Sequence, residues 1–371
     1  MRINEIFLDG FRNYEDISVR FCNGINLITG NNAQGKTNLL EAVSYLSSGR
    51  SFRLTSDKDL IIFGRESASI KANIFSAGRE QTLQVRFLRG RRRELFVNEV
   101  KLKKSSELAG RITTVFFGPD DLSIVKDGAA VRRKLMDQSL SQLRPGYFAA
   151  LTEFNRLYEH KTRILRDYRE KPSLLELLDD FNLRLAQQSA RLIYSRSAFS
   201  EILARKAASI HNEFTNSAES LDVRYITAGG IQASGKKPDQ LLHELIEHQK
   251  EKRQAELKAG LCLAGAHKDE LEIEINGMSA RKFASQGQTR TAAVSIKLAE
   301  REVHFDDRGE YPVLLLDDIL SELDSMRQSF ILGSISKGQV LITCCDEEAV
   351  SAAPSGKIMR VEKGKITELR A

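Results

Sequence analysis

The sequence predicts an α/β fold whose two halves are separated by a helical insertion. Three observations carry this. A short apolar run at residues 25–29 passes through a glycine-rich turn into a helix; a second apolar run, residues 313–316, ends in paired carboxylates; and residues 146–255 carry helical periodicity. With 41% hydrophobic residues, the 371-residue chain can bury the cores that two domains require.

Taken in order, residues 3–8 and 17–21 alternate apolar and polar, with Asn13 and Tyr14 in the gap, and predict a β-hairpin. Gly24 opens a buried strand at residues 25–29. Leu39, Leu40, Ala42, Val43 and Leu46 recur at helical spacing without Gly or Pro, so a helix is expected over 37–47. Period-two segments at 82–87 and 94–100 flank an arginine-rich tip and predict an antiparallel meander. Near Arg144, Pro145 and Gly146 the character turns helical. Leu174, Leu178, Phe181, Leu185, Leu192, Phe199, Leu203, Ile210 and Phe214 then mark one stripe of a long helix. Mixed signals return from Leu261, which predicts one split domain at 1–145 and 256–371 and a helical arm at 146–255.

Gly30, Asn31, Asn32, Ala33, Gln34, Gly35, Lys36 and Thr37 fit the pattern G-x-x-x-x-G-K-[ST] at every specified position. The chemistry follows from the residue types. Glycines let the backbone curl so that its N–H groups face phosphates, Lys36 reaches the β and γ phosphates, and Thr37 offers a hydroxyl to Mg²⁺. Asn38 continues the loop into the helix. Such a loop needs a metal partner on a neighbouring strand, and the run 313–318 ends in Asp317, expected to hold Mg²⁺, and Asp318, expected to orient or deprotonate water. Together these imply ATP and Mg²⁺ as cofactors and Lys36 and Asp318 as catalytic residues.

A near-match at residues 230–237 ends in Lys rather than Ser or Thr, and Pro238 disfavours helical geometry at Lys237. It is read as a loop, with no apolar strand feeding it. The six histidines are scattered, and His243 and His248 lie about 140° apart around a helix, so surface positions are expected for them. The four cysteines lack metal-ligand spacing and are read as reduced core thiols, with Cys344 and Cys345 on opposite faces of a strand.

No apolar run approaches the roughly 20 residues that span a bilayer, and the N-terminus lacks a signal region, so the expected location is the cytoplasm, with no membrane. A formal charge of +6 suits a polyanionic partner. The basic residues cluster at Arg89, Arg91, Arg92 and Arg93, at Lys101, Lys103 and Lys104, and at Arg132, Arg133 and Lys134, which makes Arg91, Arg92, Arg93, Arg132 and Arg133 candidates for binding phosphates, those of nucleic acid among them, with a solvated hairpin tip as the alternative.

Three further segments carry a resemblance. Ser285, Gln286, Gly287 and Gln288, ahead of a helical run at 292–299, resemble the signature motif of ABC-type ATPases in the variant of the RecF family. Ser321 to Asp324 resemble the D-loop, and Gly265, Ala266, His267, Lys268, Asp269 and Glu270 a Gly-Pro-His-Arg-Asp-Asp segment of that family. With Phe11 to Tyr14 and Gly49 to Arg53, the resemblance runs through both halves of the split domain. It implies an ABC-type ATPase head with a mixed and antiparallel β subdomain and an inserted α-helical arm. It further implies an ATP-dependent homodimer on double-stranded DNA or its junctions with single strands, in which Ser285 and Gly287 contact the γ-phosphate in trans. RecR as partner, the RecO and RecA pathway and slow, DNA-stimulated hydrolysis follow from the same resemblance. The sequence departs from the ABC pattern where Cys344, Cys345 and Asp346 stand in place of a γ-phosphate-sensing His, where no Q-loop Gln precedes residues 117–122, and where Ala266 replaces Pro. A competing reading, the ATPase subunit of a membrane transporter, shares the loop, the signature and the acidic strand; a P-loop small-molecule kinase would not need residues 285–290.

Overall fold

The computed structural model describes residues 1–53, 56–345 and 356–370. They form two compact units, one of Met1–Ser123 with Gln286–Ala371, the other of Ile124–Ser285.

In the first unit, β1 (Arg2–Phe11) and β2 (Tyr14–Arg20) form the expected hairpin, with Arg12 in the left-handed region at its turn. β3 (Ile25–Thr29) leads into α1 (Lys36–Ser48), followed by β4 (Ser67–Ser76), β5 (Arg79–Leu88), β6 (Glu94–Val97), β7 (Val100–Lys101) and β8 (Thr114–Phe117). In the second unit, α2 (Ala129–Leu143), α3 (Pro145–Asp167), α4 (Leu178–Phe214), β9 (Leu221–Ile226), α5 (Pro238–Ala259), β10 (Glu270–Ile275), β11 (Met278–Ser279) and α6 (Ala280–Phe283) follow. The chain returns to the first unit with α7 (Gln286–Arg308), β12 (Val313–Asp317), α8 (Ser325–Ser334), β13 (Val340–Cys344), β14 (Gly356–Glu362) and β15 (Lys365–Arg370).

The first unit holds two sheets. One is antiparallel, in the order β2-β1-β4-β5-β6-β7; the other runs β15-β14-β3-β13-β12-β8, with only β15 antiparallel to its neighbour. Leu39, Leu40, Val43 and Leu46 of α1 share one core with Ile6, Phe11 and Phe87 of the antiparallel sheet and Leu315 and Leu341 of the mixed sheet. Each such side chain contributes about 1.5–3 kcal/mol by leaving water. Every residue of β12 and β13 is buried, which is why these strands read as continuous apolar runs rather than alternating ones.

The second unit packs its helices against a three-stranded sheet, β11-β10-β9. The predicted long helix is α4, 37 residues, and its stripe is buried at Leu178, Leu185, Leu192, Phe199, Leu203 and Phe214. The units divide at 123/124 and 285/286, outside the 145/146 and 255/256 boundaries read from helical periodicity. Ion pairs account for the difference: Arg132 of α2 binds Glu270 of β10, and Arg196 of α4 binds Asp269. Residues flanking the helical stretch therefore belong to its core.

Several local expectations change with burial. His211, His248 and His304 are buried rather than on the surface, because each lies on the inner stripe of its helix; His160 and His243 are exposed. Cys262 and Cys344 are buried and Cys22 is partly so, but Cys345 is exposed and is no core thiol. Around residues 230–237, β9 does precede the loop and α5 follows it. Lys237 is nevertheless the extended N-cap of α5, and Lys236 pairs with Glu244.

Candidate nucleotide site

The mixed sheet brings the glycine loop and the acidic strand together. β3 and β12 are separated by β13 alone, so the C-terminal ends of three parallel strands meet at one edge, where open α/β sheets take their ligands. Thr37 Oγ1 donates to Asp317 Oδ1 at 2.9 Å. Thr343, at the end of β13, donates to the same oxygen at 2.8 Å and accepts from the Asp318 N–H at 2.9 Å. This middle-strand hydroxyl ties the carboxylate of Asp317 to the backbone of Asp318.

Burial pushes the Asp317 carboxyl up, against the hydrogen bonds from Thr343 and Thr37 that lower it; neighbouring Asp318 raises it further. A carboxylate so placed is stabilised by a cation. Asp318 has a left-handed backbone, φ 51°, and its buried Oδ1 makes no hydrogen bond. A non-glycine residue held in this region costs free energy, and such positions concentrate at functional sites. Among the described residues no cluster of three or more His, Cys, Asp or Glu forms a metal cage. The donor set of one hydroxyl and one or two carboxylates fits Mg²⁺, which characteristically completes its shell with water and phosphate oxygens.

The loop is held from outside by residues at the turn between β1 and β2. Asn13 Nδ2 donates to Gln34 O at 2.7 Å and Asn13 Oδ1 accepts from Asn38 Nδ2 at 2.8 Å, while the Tyr14 hydroxyl donates to Gly35 O at 2.9 Å. Arg12 forms a two-point pair with buried Glu41 of α1. From the opposite end of the chain, the Lys363 N–H donates to Gln34 Oε1 at 2.7 Å. The two loop glycines are required sterically. A Cβ at Gly30, φ 142°, would lie 2.3 Å from Val361 O, and one at Gly35, φ 123°, 2.6 Å from Asn13 Nδ2. Ala33 also takes positive φ, 63°. Lys36 is buried, with its ammonium on the carbonyls of Gly30 and Asn31, and Asn32 accepts from Cys345.

Ser285 and Gln286 are exposed, and Ser285 directly precedes α7. Within the first unit, Arg327 Nη2 donates to Gly287 O at 2.9 Å and to Thr291 Oγ1 at 2.9 Å, tying α8 to the start of α7. Asp324 caps α8 by accepting from the Arg327 N–H at 3.0 Å, and Ser321 Oγ donates to Asp318 O at 2.7 Å. The D-loop-like segment thus connects the acidic strand to the serine motif through hydrogen bonds. Gln288 follows on the first turn of α7. Asp346 lies outside the described residues.

The basic clusters separate into surface and structural residues. Arg91 and Arg92 are exposed and, with Lys58, Lys103 and Lys104, line a groove of ≈ 660 Å³. Arg93 is committed inward, donating to the Tyr45 hydroxyl at 2.7 Å and to Asp57 at 2.5 Å. Arg132 is 3% exposed, paired twice with Glu270 at 2.8 Å and bound to the carbonyls of Ile124 and Asp127. It is no phosphate ligand. Its place on the inner stripe of α2, with Leu135, Met136, Ser139 and Leu143, was the signal in the sequence. Arg133 is half-buried and donates to Asp269 O at 2.7 Å.

A glycine loop and an acidic strand set two strands apart in a parallel sheet, in a chain with a helical insertion, define a P-loop ATPase of the ABC and SMC head type. The family model for the RecF/RecN/SMC N-terminal domain matches residues 2–368, and the DNA replication and repair protein RecF of Acetivibrio thermocellus is 35% identical over 98% of this chain and 99% of its own length. The chain belongs to the RecF family of DNA replication and repair proteins. RecF of Clostridium acetobutylicum is 35% identical over 99% of this chain and 100% of its own. A solved structure of the recombination mediator protein RecF with ATP, in the RecFOR pathway, has a TM-score of 0.90 at 34% identity and covers 99% and 97% of the two chains. An Smc head domain from Pyrococcus furiosus, at 17% identity and a TM-score of 0.56, shares the fold. Family membership over the whole length sets aside the transporter reading. Among the described residues no helix is long and apolar enough to cross a membrane.

Proposed function

We propose that residues 30–38 hold the triphosphate of ATP and that Thr37 and Asp317 hold Mg²⁺, with Lys36 on the β and γ phosphates. The observation that carries this reading is the 2.9 Å bond from Thr37 to Asp317, which sets the loop hydroxyl and the acidic strand on one point. Asp318 orients the attacking water, and the metal, when bound, neutralises charge that develops on the phosphate oxygens.

The site is completed by a second copy of the chain. Exposed Ser285 and Gln286 and half-buried Gly287, where a 23-residue helix begins, offer hydroxyl, N–H groups and a helix N-terminus to the γ-phosphate of the partner's ATP. ADP lacks those contacts, so the nucleotide state controls dimerisation. Ser321 and Asp324 transmit the state of Asp318 to α7 through Arg327.

The ATP-bound dimer closes on double-stranded DNA or its junction with single strands, and slow hydrolysis releases it. Arg91 and Arg92 meet phosphates without reading bases, so binding is salt dependent and sequence tolerant. Residues 146–255 serve as the helical arm. The setting is the cytoplasm, with RecR as partner and RecA loading as the outcome, as the RecFOR pathway named for the solved relative suggests. Fluorescence anisotropy with duplex DNA, with ATP, ADP or neither, tests the reading. Tight binding is expected only with ATP; equal binding in all three states overturns it.

A further inference from the structure

Ser285 is the last residue of the second unit, one residue beyond α6 and directly before α7. Of the four residues of α6 only Ala280 is buried; Arg281 and Lys282 are exposed, and Phe283 is 67% exposed. A segment that buries one methyl group gains little by leaving water, so packing alone gives this end of the unit a weak hold. A lysine from elsewhere in the same unit adds to it. Lys126 Nζ donates to Ala284 O at 2.7 Å and to Arg281 O at 3.3 Å. Carbonyls at the end of a helix lack intrahelical donors, and a basic side chain is one of the groups that satisfies them.

The lysine is itself held. Ile124 and Val125 before it are each 1% exposed, and Arg132 Nη1 of α2 donates to Ile124 O at 2.7 Å and to Asp127 O at 2.8 Å, on either side of Lys126. The Nε and Nη2 of the same guanidinium form the two-point pair with Glu270 of β10. A surface lysine on a mobile backbone loses much of its worth to the entropy of settling on one partner. Here the backbone on both sides is fixed beforehand, and only the side chain must order. Hydrogen bonds thus run from Glu270 through Arg132, residues 124–127 and Lys126 to the residue that precedes Ser285.

We infer that Lys126 is a positioning residue for the trans contact: by fixing Ala284 it sets the Ser285 hydroxyl and the N-terminus of α7 where the γ-phosphate on a second copy of the chain arrives. This rests on the reading of residues 285–287 as the segment that completes the partner's site. Lys126 acts through the chain it caps and not on the nucleotide. A segment ordered in advance lowers the cost of closing the dimer, while the loop that binds ATP in the same chain is left as it was. In a symmetric dimer each copy presents this segment to the other, so loss of the lysine counts at both sites.

The full-length chain is compared with Lys126→Met, which keeps an aliphatic stem and removes the ammonium, and with Lys126→Arg, which keeps a cation of similar reach. Affinity for a fluorescent ATP analogue is measured on dilute chain, dimerisation is followed by sedimentation with Mg·ATP and with Mg·ADP, and each chain is melted. Lys126→Met is expected to keep the analogue affinity and melting temperature of the parent, while its ATP-dependent dimerisation weakens at least about tenfold. Lys126→Arg should dimerise as the parent does. A Lys126→Met chain that dimerises as tightly as the parent overturns the inference. So does one that dimerises poorly and melts lower in step, with Lys126→Arg no better, because the lysine then serves folding alone. A parent chain that stays monomeric with Mg·ATP overturns instead the trans reading beneath it.

Discussion

Thr37 and Asp317 are 280 residues apart in sequence and 2.9 Å apart in the fold, with the hydroxyl of one donating to the carboxylate of the other. The bond exists because β3 and β12 are separated by a single strand of one parallel sheet, and Thr343 on that strand donates to the same Asp317 oxygen. Removing either end should therefore affect metal use before it affects folding. Asp317→Asn and Thr37→Ala are each expected to lower ATP turnover by about 10²–10³-fold, the range for loss of one preorganised electrostatic group. Phosphate release titrated with Mg²⁺ checks this, and an unchanged Mg²⁺ requirement would count against the assignment.

Asn13 lies outside the glycine loop and yet holds it from two sides, at Gln34 O and Asn38 Nδ2. Asn13→Ala leaves both half-buried loop groups without that partner, so ATP affinity is expected to fall by about 1 kcal/mol, the net worth of an ordinary hydrogen bond. Unfolding by denaturant should shift less than nucleotide affinity does. Equal affinity in the variant and the parent would show that the loop needs no brace.

Ser285 is exposed at the start of α7. Ser285→Arg puts a bulky cation where the partner's γ-phosphate site would close, while leaving the loop of its own chain untouched. Sedimentation analysis should show the parent chain dimerising with ATP and not with ADP, and the variant remaining monomeric in both. Normal dimerisation of the variant would remove the trans arrangement.

The arginines of the two basic clusters should respond in opposite ways. Arg132→Ala strands Glu270, whose side chain is 28% exposed, and is expected to lower stability by about 2–4 kcal/mol, somewhat below the cost of breaking a fully buried pair. Arg91→Ala with Arg92→Ala should leave the melting temperature in place and reduce the slope of log affinity for duplex DNA against log salt by about two. Thermal melts and salt titrations of the same preparations separate these roles.

His267 supplies a pH test. Burial holds its imidazole down to about 4, against an ordinary value of 6.5, partly offset by its hydrogen bond with Cys262 O. The folded chain thus resists a proton that the unfolded chain accepts. Its contribution is complete above pH 6.5 and is lost as pH falls from there through 4, to a total of roughly 3 kcal/mol. Asp269 runs the other way, since burial raises it to about 6. Comparing the parent with His267→Gln therefore isolates the histidine: the variant's stability should fall less steeply between pH 6.5 and 4. Parallel curves would contradict the depressed value.

The features legible from residue order were those written in contiguous stretches of chain. The spacing from Gly30 to Thr37 prescribes a backbone, the buried strand before it and the helix after it follow from period and composition, and the run ending at Asp317 and Asp318 announces a central strand. These are legible because each constrains its own neighbours. Tertiary structure alone decided which side chains those elements would meet. Thr343 came to hold the same Asp317 oxygen that Thr37 of the loop reaches, Asn13 and Tyr14 became the brace, and Cys345 came to rest against Lys36. It also turned Arg132 and three histidines inward, although each lies on a helical stripe that marks the buried face. The physical reason is one of range: backbone geometry and period act over a few residues, whereas hydrogen bonds and ion pairs between distant segments form only once the sheets and helices have packed.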